Sequence, residues 1–282
     1  MTRELHRWIP ERAEEQLRRA FAGDVFLAEA SHAAKQVTEE VAHLLRQTYG
    51  ENLQDPATAN MPDFWGRMVA LRRYIKLSPR FAAHAVNLAR SLGLDPNRTV
   101  FAPFRLRAIL HRGHELPINA SGYVVHRDTW YAHPASAVVA WVPLFDVTEE
   151  ETFFFYPDFF TKPVFPNDSE GFEYASEASI ALDRKVAAEA ARANELAKSP
   201  EEATGLDLGQ RLSFDAKAAE TLVFSCAQLH ATQRSASGRT RFSIDCRFVN
   251  LDQYERGLGA PNVDNRSVGT ALVDYLPCSV VA

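Results

Sequence analysis

The residue pattern changes near residue 100, and this change limits the folds that the chain can adopt. Before that point, apolar residues recur at intervals of three and four, as in AEASHAAKQVTEEVAHLLRQTYG, a spacing that predicts amphipathic helices. Beyond it, short β-branched or aromatic runs such as SAVVAWVPLF and ETFFFYP are separated by Gly, Pro or polar residues, as is typical of strands. Helices followed by many short strands predict an α+β fold with a mainly β core rather than alternating βαβ units.

The length of 282 residues suits one large domain. We expect residues 1–100 to form a helical support, residues 101–250 the β core, and residues 251–282 a C-terminal tail without a recognisable motif. Within the core, the alanine-rich and charged stretch 179–199 predicts a helix. That helix would belong to an insertion, residues 160–215, packed outside the sheet.

The composition is that of an ordinary globular protein, with 46% hydrophobic and 24% charged residues. A formal net charge of -5 gives no reason to expect a nucleic-acid partner. Three cysteines without a CxxC pair indicate a reducing compartment. No apolar run approaches the roughly 20 residues of a membrane span, and the charged first residues lack a secretory apolar core. A cytoplasmic location is therefore expected, whereas the oligomeric state is left open.

A polar trio ends one of the predicted strands, at VVHRD. On a regular strand, His126 and Asp128 point to one face and Arg127 to the other. An imidazole and a carboxylate on one face can hold a metal ion if a third ligand comes from elsewhere. The best candidate is His230, which also follows an apolar strand. His133 precedes a proline in a turn and is not expected to be a ligand.

Two histidines and one carboxylate leave several coordination positions open, which suits Fe(II) oxygen chemistry. A zinc hydrolase would more often have a third protein ligand with one open position, or a helical HExxH motif, and the sequence has no such motif. The residues alone therefore favour iron over a zinc hydrolase.

Further along, RTRFSIDCRFV places Arg241 and Ser243 on one strand face. A guanidinium with a neighbouring hydroxyl binds a carboxylate well, because the guanidinium is planar and bidentate. On an earlier strand, FRLRAIL sends Arg105 and Arg107 to the same face. Arg107 would either hold a carboxylate of substrate or cosubstrate or form a salt bridge on its strand, and the sequence does not decide between the two.

These pieces together resemble a known family. HRD at 126–128, LH at 229–230 and RFS at 241–243 are similar to the motifs of iron(II)- and 2-oxoglutarate-dependent oxygenases, in particular the phytanoyl-CoA hydroxylase-like branch. The resemblance covers roughly residues 100–250. It implies a double-stranded β-helix, a jelly-roll or cupin-like barrel with helices on one side.

The resemblance also implies roles for individual residues. His126, Asp128 and His230 would bind Fe(II), and Arg241, helped by Ser243, would hold the distal carboxylate of 2-oxoglutarate. The enzyme would use O2, with ascorbate as a possible reductant, to hydroxylate a C–H bond of a small-molecule substrate while 2-oxoglutarate becomes succinate and CO2. Halogenating relatives lack the carboxylate ligand, so Asp128 favours a hydroxylase.

Two other functions stay open. A cupin-like metal isomerase or dioxygenase would keep the barrel and the metal but would not use 2-oxoglutarate or Arg241. A binding protein without catalysis would have His126, Asp128 and His230 far apart and would hold no metal.

Overall fold

The computed structural model describes residues 4–53, 61–116, 119, 122–174 and 198–280. The described chain is a mixed α/β structure built on one large, mainly antiparallel sheet and one small sheet. The helix predicted at 179–199 lies outside the described residues, apart from its last two positions. None of the described helices is both long and apolar enough to cross a membrane.

The strands of the described chain are β1 (Leu5–Arg7), β2 (Val25–Ala28), β3 (Thr99–Ile109), β4 (Ala137–Pro143), β5 (Phe153–Phe155), β6 (Thr221–Ser225), β7 (His230–Thr232), β8 (Arg241–Asn250) and β9 (Leu276–Pro277). The large sheet has the order β1-β2-β6-β4-β8-β3-β9, and β5 pairs with β7 in the small sheet. Only the pair β1 and β2 is parallel among these neighbours.

The α-helices of the described chain are α1 (Ala13–Ala20), α2 (His32–Tyr49), α3 (Met61–Leu77), α4 (Pro79–Ser91), α5 (Pro200–Thr204) and α6 (Leu251–Glu255). Helix α2 ends where the sequence predicts, at Gly50, whose φ of 89° lies in the left-handed region that glycine adopts easily. At its start the Ser31 hydroxyl accepts a hydrogen bond from the Ala34 backbone N–H and caps the helix.

Strand β8 shows how the sheet separates an apolar layer from a polar interior. Alternate residues from Phe242 to Phe248 pack in one cluster with the helices on the outer face of the large sheet. The intervening residues point to the inner face, and all of them are buried: Arg241, Ser243, Asp245 and Arg247. Because strand side chains alternate with a period of two, this arrangement follows directly from the sequence RFSIDCR.

A second apolar layer lies between the two sheets and is rich in aromatic rings. Trp141 of β4 contacts Phe153 of β5 edge to face, with ring centroids 5.2 Å apart. Phe155 of β5 contacts Phe224 of β6 in the same way at 4.9 Å. The aromatic stretch around β5 is thus explained largely by packing, since Phe153, Phe154 and Phe155 are all buried.

The boundaries expected from the sequence need correction. Residues 1–100 are not wholly helical, because β1 and β2 extend the large sheet at its edge. The tail 251–282 also reaches the sheet, through β9 beside β3. These strands have two to four residues, too few for an alternating pattern to show, and their pairing with distant strands decides their conformation.

The end of the predicted insertion 160–215 belongs to the core. Leu212 pairs with Phe155, and Ala216 pairs with Val147, so the chain has returned to the small sheet by residue 212. Isolated bridges thereby extend the β5 and β7 pair on both sides, through Leu212 and through His126. A closed barrel is not seen among the described residues, and the double-stranded β-helix stays a prediction.

Candidate metal centre

Backbone pairing brings the two predicted histidine ligands together. His126 and His230 face each other in an antiparallel bridge, where each backbone N–H donates to the other residue's carbonyl oxygen at 3.0 Å. Directly opposed residues of such a pair send their side chains to the same face. The imidazole centroids are therefore only 4.3 Å apart.

Hydrogen bonds fix which nitrogen of each ring is available. Nδ1 of His126 lies 2.8 Å from the Val124 carbonyl oxygen, and Nδ1 of His230 lies 2.9 Å from that of Gln228. A carbonyl oxygen only accepts, so each Nδ1 carries a proton and Nε2 is the ring nitrogen left to face the cluster. This second contact of a histidine is the usual way in which proteins orient a metal ligand.

His230 is held neutral, as a metal ligand must be. Burial, and next the neighbouring His126 ring, lower the pKa of His230 to about 3. At neutral pH the Nε2 atom of His230 therefore carries no proton that must leave before it can bind a metal ion.

Asp128 joins the two histidines from a short 3₁₀ helix, Asp128–Tyr131, that follows the His126 bridge. The sequence predicts a regular strand at Asp128, and this detail is wrong, because the chain turns immediately after Arg127. Oδ1 of Asp128 lies 3.7 Å from Nε2 of His126, and one atom from each of Asp128, His126 and His230 lies within 4.8 Å of the others. Arg127 points away and is buried elsewhere.

The other carboxylate oxygen of Asp128 is held by a residue that the sequence analysis missed. Oδ2 accepts hydrogen bonds from Arg247, at 2.9 Å from Nε and 2.8 Å from Nη2. Burial opposes ionisation of Asp128, but the Arg247 charge outweighs it and holds the pKa of Asp128 well below the usual value. Asp128 is therefore ionised and oriented, with Oδ1 turned toward the histidines.

The donor set determines which metal the site suits. Two imidazoles and one carboxylate match the facial arrangement that non-haem Fe(II) enzymes use, with remaining positions open for small ligands. The described residues offer no further histidine, cysteine or acid to this cluster. His133 is buried nearby, but its Nδ1 lies 2.9 Å from the Tyr275 hydroxyl and it is not part of the group.

Arg241 and Ser243 have polar atoms for which the described chain provides no partner. Nε and Nη1 of Arg241 and Oγ of Ser243 are buried without a hydrogen bond among the described residues. Burial lowers the pKa of Arg241 to about 10, a sign that its charge lacks solvation. Since an unpaired buried charge is strongly destabilising, the pair is suited to an anionic ligand.

The Phe153 ring connects Arg241 with the metal cluster. It lies 5.8 Å from the His230 ring and 6.0 Å from the Arg241 guanidinium carbon. Phe153 therefore packs against both the cation and one histidine of the metal cluster. The Tyr123 hydroxyl is also buried without a hydrogen bond in the described chain, and the charge of Arg241 acts on it. The sequence analysis did not identify this residue.

Arg107 forms an ion pair on the inner face, and its contact with substrate or cosubstrate stays a prediction. Its Nε donates to Oδ2 of Asp245 at 2.7 Å, which is the salt-bridge alternative that the sequence left open. Asp245 also accepts from Arg247 through Oδ1 at 2.8 Å. Asp245 and Arg247 were missed, although both follow Arg241 at the even spacing of the inner face of β8.

Comparisons with known proteins do not assign the chain to a family. No family model matches, and a search of curated proteins found no match. Similar solved structures include SnoN, described as a non-heme alpha ketoglutarate dependent epimerase from nogalamycin biosynthesis, at 16% identity and a TM-score of 0.39, covering 86% of this chain and 84% of SnoN.

Two further structures were determined with ligands. EvdO2 from Micromonospora carbonacea var. aurantiaca, complexed with 2-oxoglutarate, is 15% identical with a TM-score of 0.44, covering 83% of this chain and 90% of EvdO2. HygX from Streptomyces hygroscopicus, with nickel and 2-oxoglutarate bound, is 15% identical with a TM-score of 0.41, covering 83% and 86%. Likeness at this level does not establish a shared function, so we infer the function of the chain from its own residues.

The contacts of Arg247 predict that it positions Asp128. Arg247→Met should lower the affinity for Fe(II) or Mn(II) by about 10- to 100-fold, because the carboxylate loses the partner that orients it. Isothermal titration calorimetry under anaerobic conditions measures this. Arg107→Met is the matched control, since it removes an arginine of the same network that does not touch Asp128. Equal losses in both variants would show a general charge effect and contradict the positioning role.

Proposed function

We propose that the chain is a non-haem Fe(II)- and 2-oxoglutarate-dependent dioxygenase that hydroxylates a C–H bond of a small-molecule substrate. The observation that carries this proposal is the pairing of two features: the cluster of His126, Asp128 and His230, and the unpaired Arg241 guanidinium one aromatic ring away. The first suits the metal and the second suits the distal carboxylate of the cosubstrate. Bound together, iron and 2-oxoglutarate would activate O2, yielding succinate and CO2.

The protein residues contribute binding and orientation. The Nε2 atoms of His126 and His230 and Oδ1 of Asp128 would hold the metal on one side, which leaves its other positions accessible. Arg241, with Ser243, would fix the far end of the cosubstrate, so that its 2-oxo acid end lies at the metal. Phe153, whose ring lies beside both His230 and Arg241, would form an apolar wall next to the cosubstrate.

We propose further that the chain is a single oxygenase domain of the phytanoyl-CoA hydroxylase-like branch and that its core is a jelly roll. We also propose a cytoplasmic location and a role for ascorbate as reductant. Hydroxylation, rather than desaturation or ring formation, is proposed from the resemblance of the motifs and from the presence of Asp128 as a carboxylate ligand.

Arg241→Gln tests the cosubstrate site. Because it removes the cation that would pair with a buried carboxylate, we expect a loss of about 2–5 kcal/mol in 2-oxoglutarate binding, which is at least about 30-fold in affinity. Anaerobic titration of the Fe(II) protein, followed by the visible charge-transfer absorption of the chelate, measures it. Arg241→Lys keeps the charge without the bidentate geometry and should give an intermediate loss.

The same experiment separates the alternatives. If the wild-type protein binds Fe(II) but not 2-oxoglutarate, or if Arg241→Gln leaves 2-oxoglutarate affinity unchanged, the cupin-like isomerase or 2-oxoglutarate-independent dioxygenase is favoured. If the wild-type protein binds no metal, the chain is a binding protein without this chemistry.

A further inference from the structure

Besides Arg241, a second arginine of the inner sheet face has no hydrogen-bond or ion-pair partner in the described chain. Arg105 lies on β3 directly opposite Asp245 of β8, on the same face as Arg107. It is partly buried, yet its guanidinium makes no hydrogen bond or ion pair with any residue that the structure describes. Three neighbouring arginines have either carboxylate partners or the proposed cosubstrate role, so Arg105 stands apart.

The carboxylates that could pair with Arg105 are engaged by other cations. Asp245 accepts from Arg107 at 2.7 Å and from Arg247 at 2.8 Å. Asp128 accepts from Arg247 through Oδ2 and turns Oδ1 toward the metal cluster. Both aspartates nevertheless lie in the electrostatic field of Arg105. Arg105 thus lies opposite Asp245, which shares Arg247 with the metal-cluster residue Asp128, and neither carboxylate forms an ion pair with it.

Other elements around Arg105 do not supply the missing anion. Lys76 of α3 lies within its electrostatic reach and carries the same charge. Tyr174 and Tyr275 also lie in its field. The Tyr174 hydroxyl donates to Oδ2 of Asp274 at 2.6 Å, so that carboxylate too is engaged.

The charges of the inner face leave an excess that the proposed cofactors do not remove. Two carboxylates, Asp128 and Asp245, stand against four guanidinium groups: Arg105, Arg107, Arg241 and Arg247. A divalent metal and the dianion 2-oxoglutarate would cancel each other. Two positive charges therefore remain in excess on this face. Arg105 is the guanidinium bonded to neither a carboxylate nor the proposed cosubstrate, and burial, and next Arg247 and Arg107, lower its pKa to about 10.

We infer that Arg105 binds an anionic group, a carboxylate or a phosphate, on the organic substrate and so fixes that substrate beside the metal. The inference rests on the proposed function and narrows its substrate class to anionic small molecules. A guanidinium presents parallel N–H donors to such a group, and the partly water-excluded position strengthens the contact. The anion would offset the like-charge repulsion among Arg105, Arg107 and Arg247.

The test uses the full chain loaded with Mn(II) and N-oxalylglycine, an inert analogue of 2-oxoglutarate, so that the cosubstrate site is filled. Benzoate and phenyl phosphate serve as anionic probes, and benzamide is the neutral probe that matches benzoate in shape. Isothermal titration calorimetry gives each dissociation constant. We expect one or both anions to bind at least about tenfold more tightly than benzamide, as a charge-assisted hydrogen bond predicts.

Variants assign the preference to Arg105. Arg105→Gln should reduce the affinity for the anion to that for benzamide, and Arg105→Lys should retain part of it. Arg256→Gln, an exposed arginine on another element, is the control and should bind like the wild type. Thermal unfolding of each variant checks that the fold is intact. If Arg105→Gln does not fold, the affinity of Arg105→Lys for the anion tests the assignment instead, and an affinity equal to that of the wild type would contradict it.

Failures of this inference and of the proposed function are distinguishable. If N-oxalylglycine does not bind to the Mn(II) protein, the proposed function fails. If it binds but the anions bind no more tightly than benzamide, or bind equally well to Arg105→Gln, the inference fails alone. Arg105→Gln could also lose affinity for N-oxalylglycine as strongly as for benzoate. That result would assign Arg105 to the cosubstrate and would also overturn the inference.

Discussion

Alanine in place of His230 is expected to lower the affinity of the chain for Fe(II) by more than about 100-fold, beyond the range seen for residues that only orient a ligand. The reason lies in the geometry of the cluster. His230 is neutral, its Nδ1–H is fixed on the Gln228 carbonyl, and its Nε2 lies within 4.8 Å of the corresponding atoms of His126 and Asp128. Removing it leaves two ligands, too few to hold an Fe(II) ion firmly.

His133→Gln is the matched control for this prediction. His133 is also a buried histidine in the field of Asp128, but its ring is paired with the Tyr275 hydroxyl. Its replacement should leave Fe(II) affinity within about threefold of the wild type, the context scatter of a single contact. Anaerobic calorimetry and metal analysis after dialysis provide the measurements. Equal Fe(II) affinity of His230→Ala and the wild type would disprove the metal centre.

The inner face of β8 was predictable because it depends on a periodicity that a sequence displays. Alternation along β8 places Arg241 and Ser243 on one face, and the same rule applied two and four residues further gives Asp245 and Arg247. The rule could therefore have identified the partner of Asp128. What the alternation does not give is the pairing itself, because which carboxylate meets which guanidinium depends on strand register.

Other features depended on contacts that no local pattern encodes. His126 and Asp128 share a face although no regular strand joins them, because the His126 bridge to His230 and the 3₁₀ turn at Asp128 achieve what a strand would have done. Strands β1 and β2 were missed because three or four residues carry little propensity signal. Asp264 lies in the tail, which has no recognisable motif. Its contacts with the core form only when the chain folds, so no local sequence pattern predicts them.

The site is orientated before any ligand arrives. Backbone carbonyls hold the two imidazoles, and Arg247 holds the carboxylate, so binding a metal ion requires little rearrangement of these side chains. Side chains held in this way lose their conformational entropy during folding rather than during binding. The stability of the surrounding core therefore determines how well the metal cluster is formed.

Arg127, between the two metal ligands of the HxD stretch, has a structural role that the sequence did not reveal. Its guanidinium and the Asp264 carboxylate are each only 1% exposed, and Nε of Arg127 lies 3.1 Å from Oδ2 of Asp264. Other nitrogens of Arg127 donate to the carbonyl oxygens of Ala227 and Lys162. Asp264 also accepts from the Trp130 indole at 2.7 Å. The pair thus ties four distant segments together behind the metal cluster.

Asp264→Ala is expected to reduce the free energy of unfolding by about 3–5 kcal/mol, because the Arg127 charge stays buried without its partner. Arg127→Met should cost a similar amount by leaving the Asp264 carboxylate unpaired. The double variant Arg127→Met/Asp264→Leu removes both charges, so its loss should be smaller than the sum of the single losses. Urea unfolding followed by far-ultraviolet circular dichroism measures all three.

An exposed ion pair provides the comparison. Arg98 pairs with Asp252 at 2.7 Å on the surface, and Asp252→Ala should destabilise the chain much less than Asp264→Ala, since water replaces the lost partner.

Fe(II) affinity measured on the same proteins links the buried ion pair of Arg127 and Asp264 to the site. Because Arg127 lies between His126 and Asp128, its loss should weaken metal binding even under conditions where the variant is folded. If Asp264→Ala unfolds at the same urea concentration as the wild type, the buried pair does not stabilise this fold, and the support of the metal cluster must come from the strand pairing alone.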